Sequence, residues 1–297
     1  MRVLVTGGSG FLGSHVCDEL TRRNHEVVVM DLQASPWLAG NQVMVLGDIL
    51  DAVALRESMA GCAAVYHCAA VADLDHALEE PDLAIEVNVM GTLRVMQAAS
   101  EAGVGRFMHA SSVYVFSRGG SVYRTTKQAA ENLVQDLSPG FGLDSTILRF
   151  GSLYGPRADS QNAILRLVHQ AVNEGRMDFW GDGTEIREYI HISDAASLAV
   201  DALEPRFAGE ALHIAGRERL TTLELLQTIN EMLGGQLPIS LHDDPFEGRY
   251  RLTPYAYEGG LGRRLVGQTY VDLGLGVLGA VREASGVREA RDWGNSE

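Results

Sequence analysis

A short apolar run, residues 3–5, leads straight into Thr6-Gly7-Gly8-Ser9-Gly10-Phe11-Leu12-Gly13, and a helix-length amphipathic stretch, residues 11–23, leaves it. A strand that ends in such a turn and opens a helix directs free N–H groups at a diphosphate, and glycine removes the side chains that would keep the ligand off. Gly7, Gly10 and Gly13 stand at GxxGxxG spacing, not the commoner GxGxxG, and Ser9, Phe11 and Leu12 lie among them as further expected cofactor contacts. Asp31 ends a second apolar run, residues 27–30. A carboxylate there accepts hydrogen bonds from an adenosine ribose and repels a 2′-phosphate. No arginine follows within Leu32-Gln33-Ala34-Ser35-Pro36 to hold such a phosphate, so NAD is expected over NADP; the competing reading of Asp31 is a cap or turn former.

Further short apolar runs at residues 43–46, 63–66, 106–109 and 146–150 suit buried parallel strands, and amphipathic stretches at 82–102 and 121–137 suit helices between them. The alternation predicts an α/β fold, a Rossmann-type doubly wound parallel sheet. After Arg149 the texture changes, with Tyr154-Gly155-Pro156-Arg157 breaking the alternation, a helical stretch at 163–174 and a tight turn at Gly181-Asp182-Gly183. A cofactor domain over residues 1–150 and a smaller C-terminal substrate-binding lobe over 151–297 are expected, with strand-like segments at 187–191 and 211–214 returning to the first. The charged tail from Glu283 is expected to fray.

A net charge of −15 works against binding nucleic acid or an anionic membrane, since both rest on Lys and Arg. It leaves room for a phosphate-bearing small ligand held by backbone N–H groups and one or two arginines. Three scattered cysteines, Cys17, Cys62 and Cys68, form neither a disulfide framework nor a metal-ligand pattern. With no apolar run of membrane-spanning length and the glycine turn so close to Met1, a cytoplasmic protein without a metal is expected.

Tyr123 and Lys127 are four apart in Ser121-Val122-Tyr123-Arg124-Thr125-Thr126-Lys127, which places them on one face of a helix that Ser121 is expected to cap. By itself such a pair is commonly a solvated face. Beside a dinucleotide, an ammonium and the nicotinamide charge both favour the phenolate, and the tyrosine's pKa is expected to fall from ~10 toward that of a general base.

Taken together these stretches resemble the extended short-chain dehydrogenase/reductase family, in its nucleotide-sugar epimerase and dehydratase branch. The glycine turn is similar to TGxxGxxG, Asp48-Ile49 to the adenine-side acid, His67-Cys68-Ala69-Ala70 to HxAA, Asn88-Val89-Met90-Gly91-Thr92 to NVxGT, and Tyr123 to Lys127 to YxxxK. Ser111-Ser112-Val113-Tyr114-Val115-Phe116-Ser117 aligns on SSxxVYG, which implies an active-site hydroxyl at Ser112 and puts Phe116 where tyrosine is usual. The resemblance implies cofactor contacts at Asp48, Ile49, Ala69, Ala70, Asn88, Ser111, Tyr123 and Lys127, and a homodimer paired through the helices at 82–102 and 121–137. Three departures stand out: eleven positions separate Ser112 from Tyr123, with Gly119-Gly120 as the turn of a shortened loop; Ser152 replaces a usual asparagine; and Tyr250-Arg251-Leu252-Thr253-Pro254-Tyr255 stands in place of a familiar uridine-binding arginine motif.

Val113 and Tyr114 occupy the positions where the family's dehydratases place acids and its decarboxylases a glutamate. What remains is Ser112, Tyr123 and Lys127, sufficient for reversible oxidation of an alcohol. The expected function is NAD-dependent C4 epimerisation of a nucleoside-diphosphate sugar, with Ser112, Tyr123, Ser152 and Arg187 toward the substrate, Arg187 because its planar fork matches phosphate. The alternatives are a reductase or dehydratase of a nucleotide-linked sugar, and a non-catalytic dinucleotide sensor. His67, His109 and His191 sit in or beside apolar runs and read as packed histidines.

Overall fold

The computed structural model describes residues 1–117, 121–243 and 262–286. The turn expected at Gly119-Gly120, the stretch at 250–255 and the tail from 287 lie outside the described residues.

In chain order the elements are β1 (Arg2–Thr6), α1 (Phe11–Arg22), β2 (Glu26–Asp31), β3 (Gln42–Leu46), α2 (Ala52–Ser58), β4 (Ala64–His67), α3 (Leu74–Glu79), α4 (Pro81–Ile85), α5 (Thr92–Glu101), β5 (Arg106–Ser112), α6 (Ser121–Phe141) and β6 (Asp144–Phe150). They continue as β7 (Ser152–Tyr154), α7 (Ala163–His169), β8 (Met177–Trp180), β9 (Ile186–Arg187), β10 (Tyr189–His191), α8 (Ile192–Asp201), β11 (Ala211–Ile214), β12 (Leu220–Thr221), α9 (Thr222–Met232), β13 (Ile239–His242), β14 (Arg263–Arg264) and α10 (Leu273–Ala284). No described helix is long and apolar enough to cross a membrane.

Eight strands form one sheet in the order β14-β11-β6-β5-β4-β1-β2-β3, every pairing parallel. The chain runs outward from β1 through β2 to β3 and then jumps back to β4 on the other side of β1. That reversal opens a crevice at the carboxyl ends of β1 and β4, where ligands of open α/β sheets bind. Val3, Val5, Tyr66 and Leu148 pack one face of the sheet against α1 and α8; Leu4, Val65, Phe107 and Ile147 pack the other against α2, α5 and α6. A third core joins α7, α9 and α10. Two-stranded pairings β7 with β10, β9 with β12 and β8 with β13 complete this second region.

The structure departs from the sequence expectations at particular points. β3 is the sheet's edge, so Val43 and Leu46 are exposed, not buried. The helix expected over 82–102 is interrupted by a π-helical turn, Glu86–Gly91, and the one over 163–174 ends in another, Gln170–Glu174. The strand expected over 187–191 breaks at Glu188, whose buried carboxylate is gripped by Arg219 at 3.1 Å and Arg264 at 3.2 Å. Ser121 is the first residue of α6, at φ +60, and donates its hydroxyl to the Leu74 carbonyl at 3.3 Å. Beyond β11 the chain passes so close to β10 that a Cβ on Gly216 would stand 1.7 Å from the Tyr189 carbonyl oxygen.

Candidate active site

The glycine turn is closed as tightly as backbone allows. Gly7 adopts φ +68 and donates to the Met30 carbonyl at 2.9 Å, and a Cβ on Gly13 would stand 2.1 Å from the Gly7 carbonyl oxygen. Gly10 is the N-cap of α1 and no side chain caps the helix, so the first-turn N–H groups of Phe11, Leu12 and Gly13 have no intrahelical acceptor. Asp31 reaches across to this turn: its carboxylate accepts from Ser9 N at 3.0 Å and Gln33 N at 3.3 Å, while Ser9 Oγ donates to the Gln33 carbonyl at 2.7 Å. Asp31 therefore does form turns, and a carboxylate with about four lone-pair sites retains capacity for two ribose hydroxyls. A side-chain-free cradle, a donor-rich helix end and an acid at the end of β2 fit NAD and disfavour its 2′-phosphorylated counterpart.

The remaining expected contacts surround the same crevice. Half-buried Asp48 accepts from Leu50 N at 2.9 Å, and Ile49 beside it is buried. Ala69 and Ala70 follow β4, and Ala69 lies directly against Gly7. Asn88 is buried with its amide engaged by the protein: it accepts from Val71 N at 2.8 Å and donates to the Val71 carbonyl and Thr126 Oγ1, each at 3.0 Å. It thus clips the segment after β4 to α6. Ser111 points into the interior, where Oγ donates to Glu131 Oε1 at 2.6 Å.

Ser112, the last residue of β5, and Tyr123, in the first turn of α6, are brought together by a side-chain hydrogen bond. Lys127 lies one turn further on, buried, and donates from Nζ to the Ala110 carbonyl at 2.6 Å. Burial pushes the Tyr123 phenol up to about 12, against the smaller opposite effect of the Ser112 hydrogen bond. Burial likewise pulls Lys127 down to about 8, opposed by Glu131. The ammonium is satisfied by a carbonyl of β5, and desolvation disfavours the charged form of both groups.

Ser152 and Arg187 line an open cleft together with Tyr114, Arg166 and Trp180. Trp180, 44% exposed at the end of β8, was missed in the sequence; its signal was its place just before the Gly181-Asp182-Gly183 turn. Arg166 sits on α7, whose N-cap Asn162 accepts from Leu165 N at 3.3 Å. His67 is hydrogen-bonded through both ring nitrogens, to Thr6 at 2.8 Å and Thr92 at 3.0 Å, and burial lowers it to about 3. His109 is buried with no partner at either nitrogen among the described residues, and desolvation holds it far below its ordinary value. His191 bonds Ser193 at 2.7 Å and is lowered by burial to about 4.

Comparison with known proteins places these features in a family. The profile described as the NAD dependent epimerase/dehydratase family matches residues 3–215. A UDP-N-acetyl-alpha-D-glucosaminuronate decarboxylase of Bacillus cytotoxicus is 29% identical over 283 residues, 86% of this chain and 86% of its own length. A dTDP-glucose 4,6-dehydratase of Streptomyces antibioticus is 30% identical over 261 residues, 79% of this chain and 78% of its own. Among solved structures, the UDP-glucose 4-epimerase of Thermus thermophilus in complex with NAD superposes with a TM-score of 0.79 at 26% identity, covering 96% of this chain and 99% of that one.

Proposed function

Since the chain belongs to the NAD-dependent epimerase/dehydratase family, whose relatives act as epimerases, dehydratases and decarboxylases, we propose that it epimerises a nucleoside-diphosphate sugar at C4. The observation that carries this reading lies in the two residues after Ser112. Val113 is buried and Tyr114 meets Tyr123 edge-on, ring centroids 6.3 Å apart, so neither position offers the acid that loss of water or of carbon dioxide calls on.

The glycine turn, the first turn of α1, Asp31, Asp48 and Ile49 would hold the dinucleotide, with Ala69, Ala70 and Asn88 shaping the wall beside it. When bound, NAD supplies a hydride acceptor and donor at the sugar carbon and a positive charge that favours the tyrosine anion. Ser112 Oγ accepts from Tyr114 N at 3.2 Å and directs its own proton toward the sugar oxygen. Tyr123 takes the hydroxyl proton as the alcohol becomes a ketone and returns it once the ketone has turned over. Lys127, tethered to β5 by the Ala110 carbonyl, adds positive charge beneath the phenol. Arg187, with Ser152, faces the diphosphate. Described residues between 152 and 222 furnish most of this substrate wall, while β11 and β14 extend the large sheet. Exposed Leu83, Ile85 and Met90, on α4 and the π turn, support a homodimer paired through this helical layer.

The test is product analysis of UDP-, GDP-, CDP- and dTDP-sugars turned over by protein carrying NAD, with no reductant added. A C4-inverted sugar supports the reading. A 4-keto-6-deoxy sugar, release of carbon dioxide or a requirement for NADH overturns it. Tyr123→Phe should retain NAD and lose turnover; full turnover in that variant rejects the assignment of the base.

A further inference from the structure

We propose that Phe116 is a positioning residue that sets Ser112 against Tyr123, an inference that rests on reading those two as the reacting pair. Ser112 ends β5 and opens a single 3-10 turn, Val113–Phe116, in which its own Oγ accepts from Tyr114 N. Phe116 closes that turn, so the placement of its ring fixes the turn and with it the serine.

The ring rests on two side chains from the sheet. The Arg149 guanidinium carbon lies 4.6 Å from its centroid, and the His213 ring stacks on it at 5.4 Å with 22° between planes. Arg149 and His213 are register partners on β6 and β11, so together they form one platform. Arg149 is itself immobilised by Glu131, and Glu131 also takes the hydroxyl of Ser111, the residue just before Ser112. From the other side α6 holds the same turn: Gln128 Nε2 donates to the Val115 carbonyl at 2.5 Å and Arg124 to the Ser117 carbonyl at 3.1 Å.

The turn is thus fastened between the sheet and the helix that carries Tyr123 and Lys127. With only ten residues between Ser112 and Tyr123, little connecting chain is left to set their spacing, and these side-chain contacts do so instead. A misplacement of about 1 Å at a reacting group costs on the order of 100-fold in rate.

Phe116→Leu keeps an apolar side chain but removes the aromatic face; Phe116→Tyr keeps the face. The expected result for Phe116→Leu is a fall in kcat of roughly 10- to 100-fold, with KM for the nucleotide sugar and bound NAD unchanged within about twofold, and recovery in Phe116→Tyr. A kcat for Phe116→Leu within about threefold of the parent, with Ser112→Ala inactive, overturns this proposal alone. Full turnover by Ser112→Ala overturns the reading of the reacting pair and this proposal with it. Should Phe116→Leu not fold, Gln128→Ala loosens the same turn from the helix side; a selective fall in its kcat supports the proposal and an unchanged kcat overturns it.

Discussion

Glu131 closes both carboxylate oxygens on the Arg149 guanidinium, Oε1 on Nε at 2.9 Å and Oε2 on the terminal nitrogen at 2.7 Å, with both side chains 7% exposed. Removing one partner leaves a buried charge uncompensated, which costs about 3–5 kcal/mol. Glu131→Gln is therefore expected to lower stability by that order in denaturant melts. Glu131→Leu with Arg149→Met together should cost much less than the sum of the single changes; additive losses would show that the pair is not coupled.

Gly13→Ala should abolish dinucleotide binding. The added methyl would lie 2.1 Å from the Gly7 carbonyl oxygen, and that neighbour is backbone with no rotamer to yield. The turn must then spread, and the N–H groups of α1 lose their common focus. Calorimetric titration with NAD checks this, and near-parental affinity would contradict it.

Lys127 gives stability a readable pH signature. Burial lowers it to about 8 in the fold from 10.5, so between those values the unfolded chain binds the extra proton and stability rises with pH. The folded protein bears the cost of a buried ammonium below about pH 8 and is relieved of it above. Relative to Lys127→Met, the parent should therefore gain stability as pH is raised from 7 to 10. A stability difference that stays flat across that range would refute the assignment.

The buried histidines work at the acid end. His67 is depressed to about 3 and His109 is also lowered, so their contribution is complete above 6.5 and is lost as pH falls through the folded values. His109→Phe removes two buried nitrogens that lack partners among the described residues, and is expected to raise stability at pH 7.5 by on the order of 1–2 kcal/mol. It should also flatten the decline between pH 6.5 and 5. A variant less stable than the parent at both ends would sink this prediction.

The strand, glycine turn and helix around Gly7, Gly10 and Gly13 were legible because their logic is local: spacing alone states what the backbone must do. Tyr123 and Lys127 were legible for the same reason, as two residues one turn apart. The burial that raises Tyr123 and lowers Lys127 was not, because desolvation is set by what the whole fold packs around α6. The exposure of Val43 and Leu46 follows from sheet order, which puts β3 at an edge, and no window of sequence encodes that. The clamp of Glu131 on Arg149 joins positions 18 apart across two elements. The π turn at Glu86–Gly91 reads as ordinary helix until Asn88 is seen fastened to Val71 and Thr126.

Where β11 leaves the large sheet, the chain slides past Tyr189 with no room for even a methyl at Gly216. A loop that meets a strand through bare backbone cannot be re-spaced by exchanging residues. Any reshaping of the cleft must therefore come from lining side chains such as Tyr114, Arg166 and Trp180, because the contact at Gly216 has no side chain to exchange.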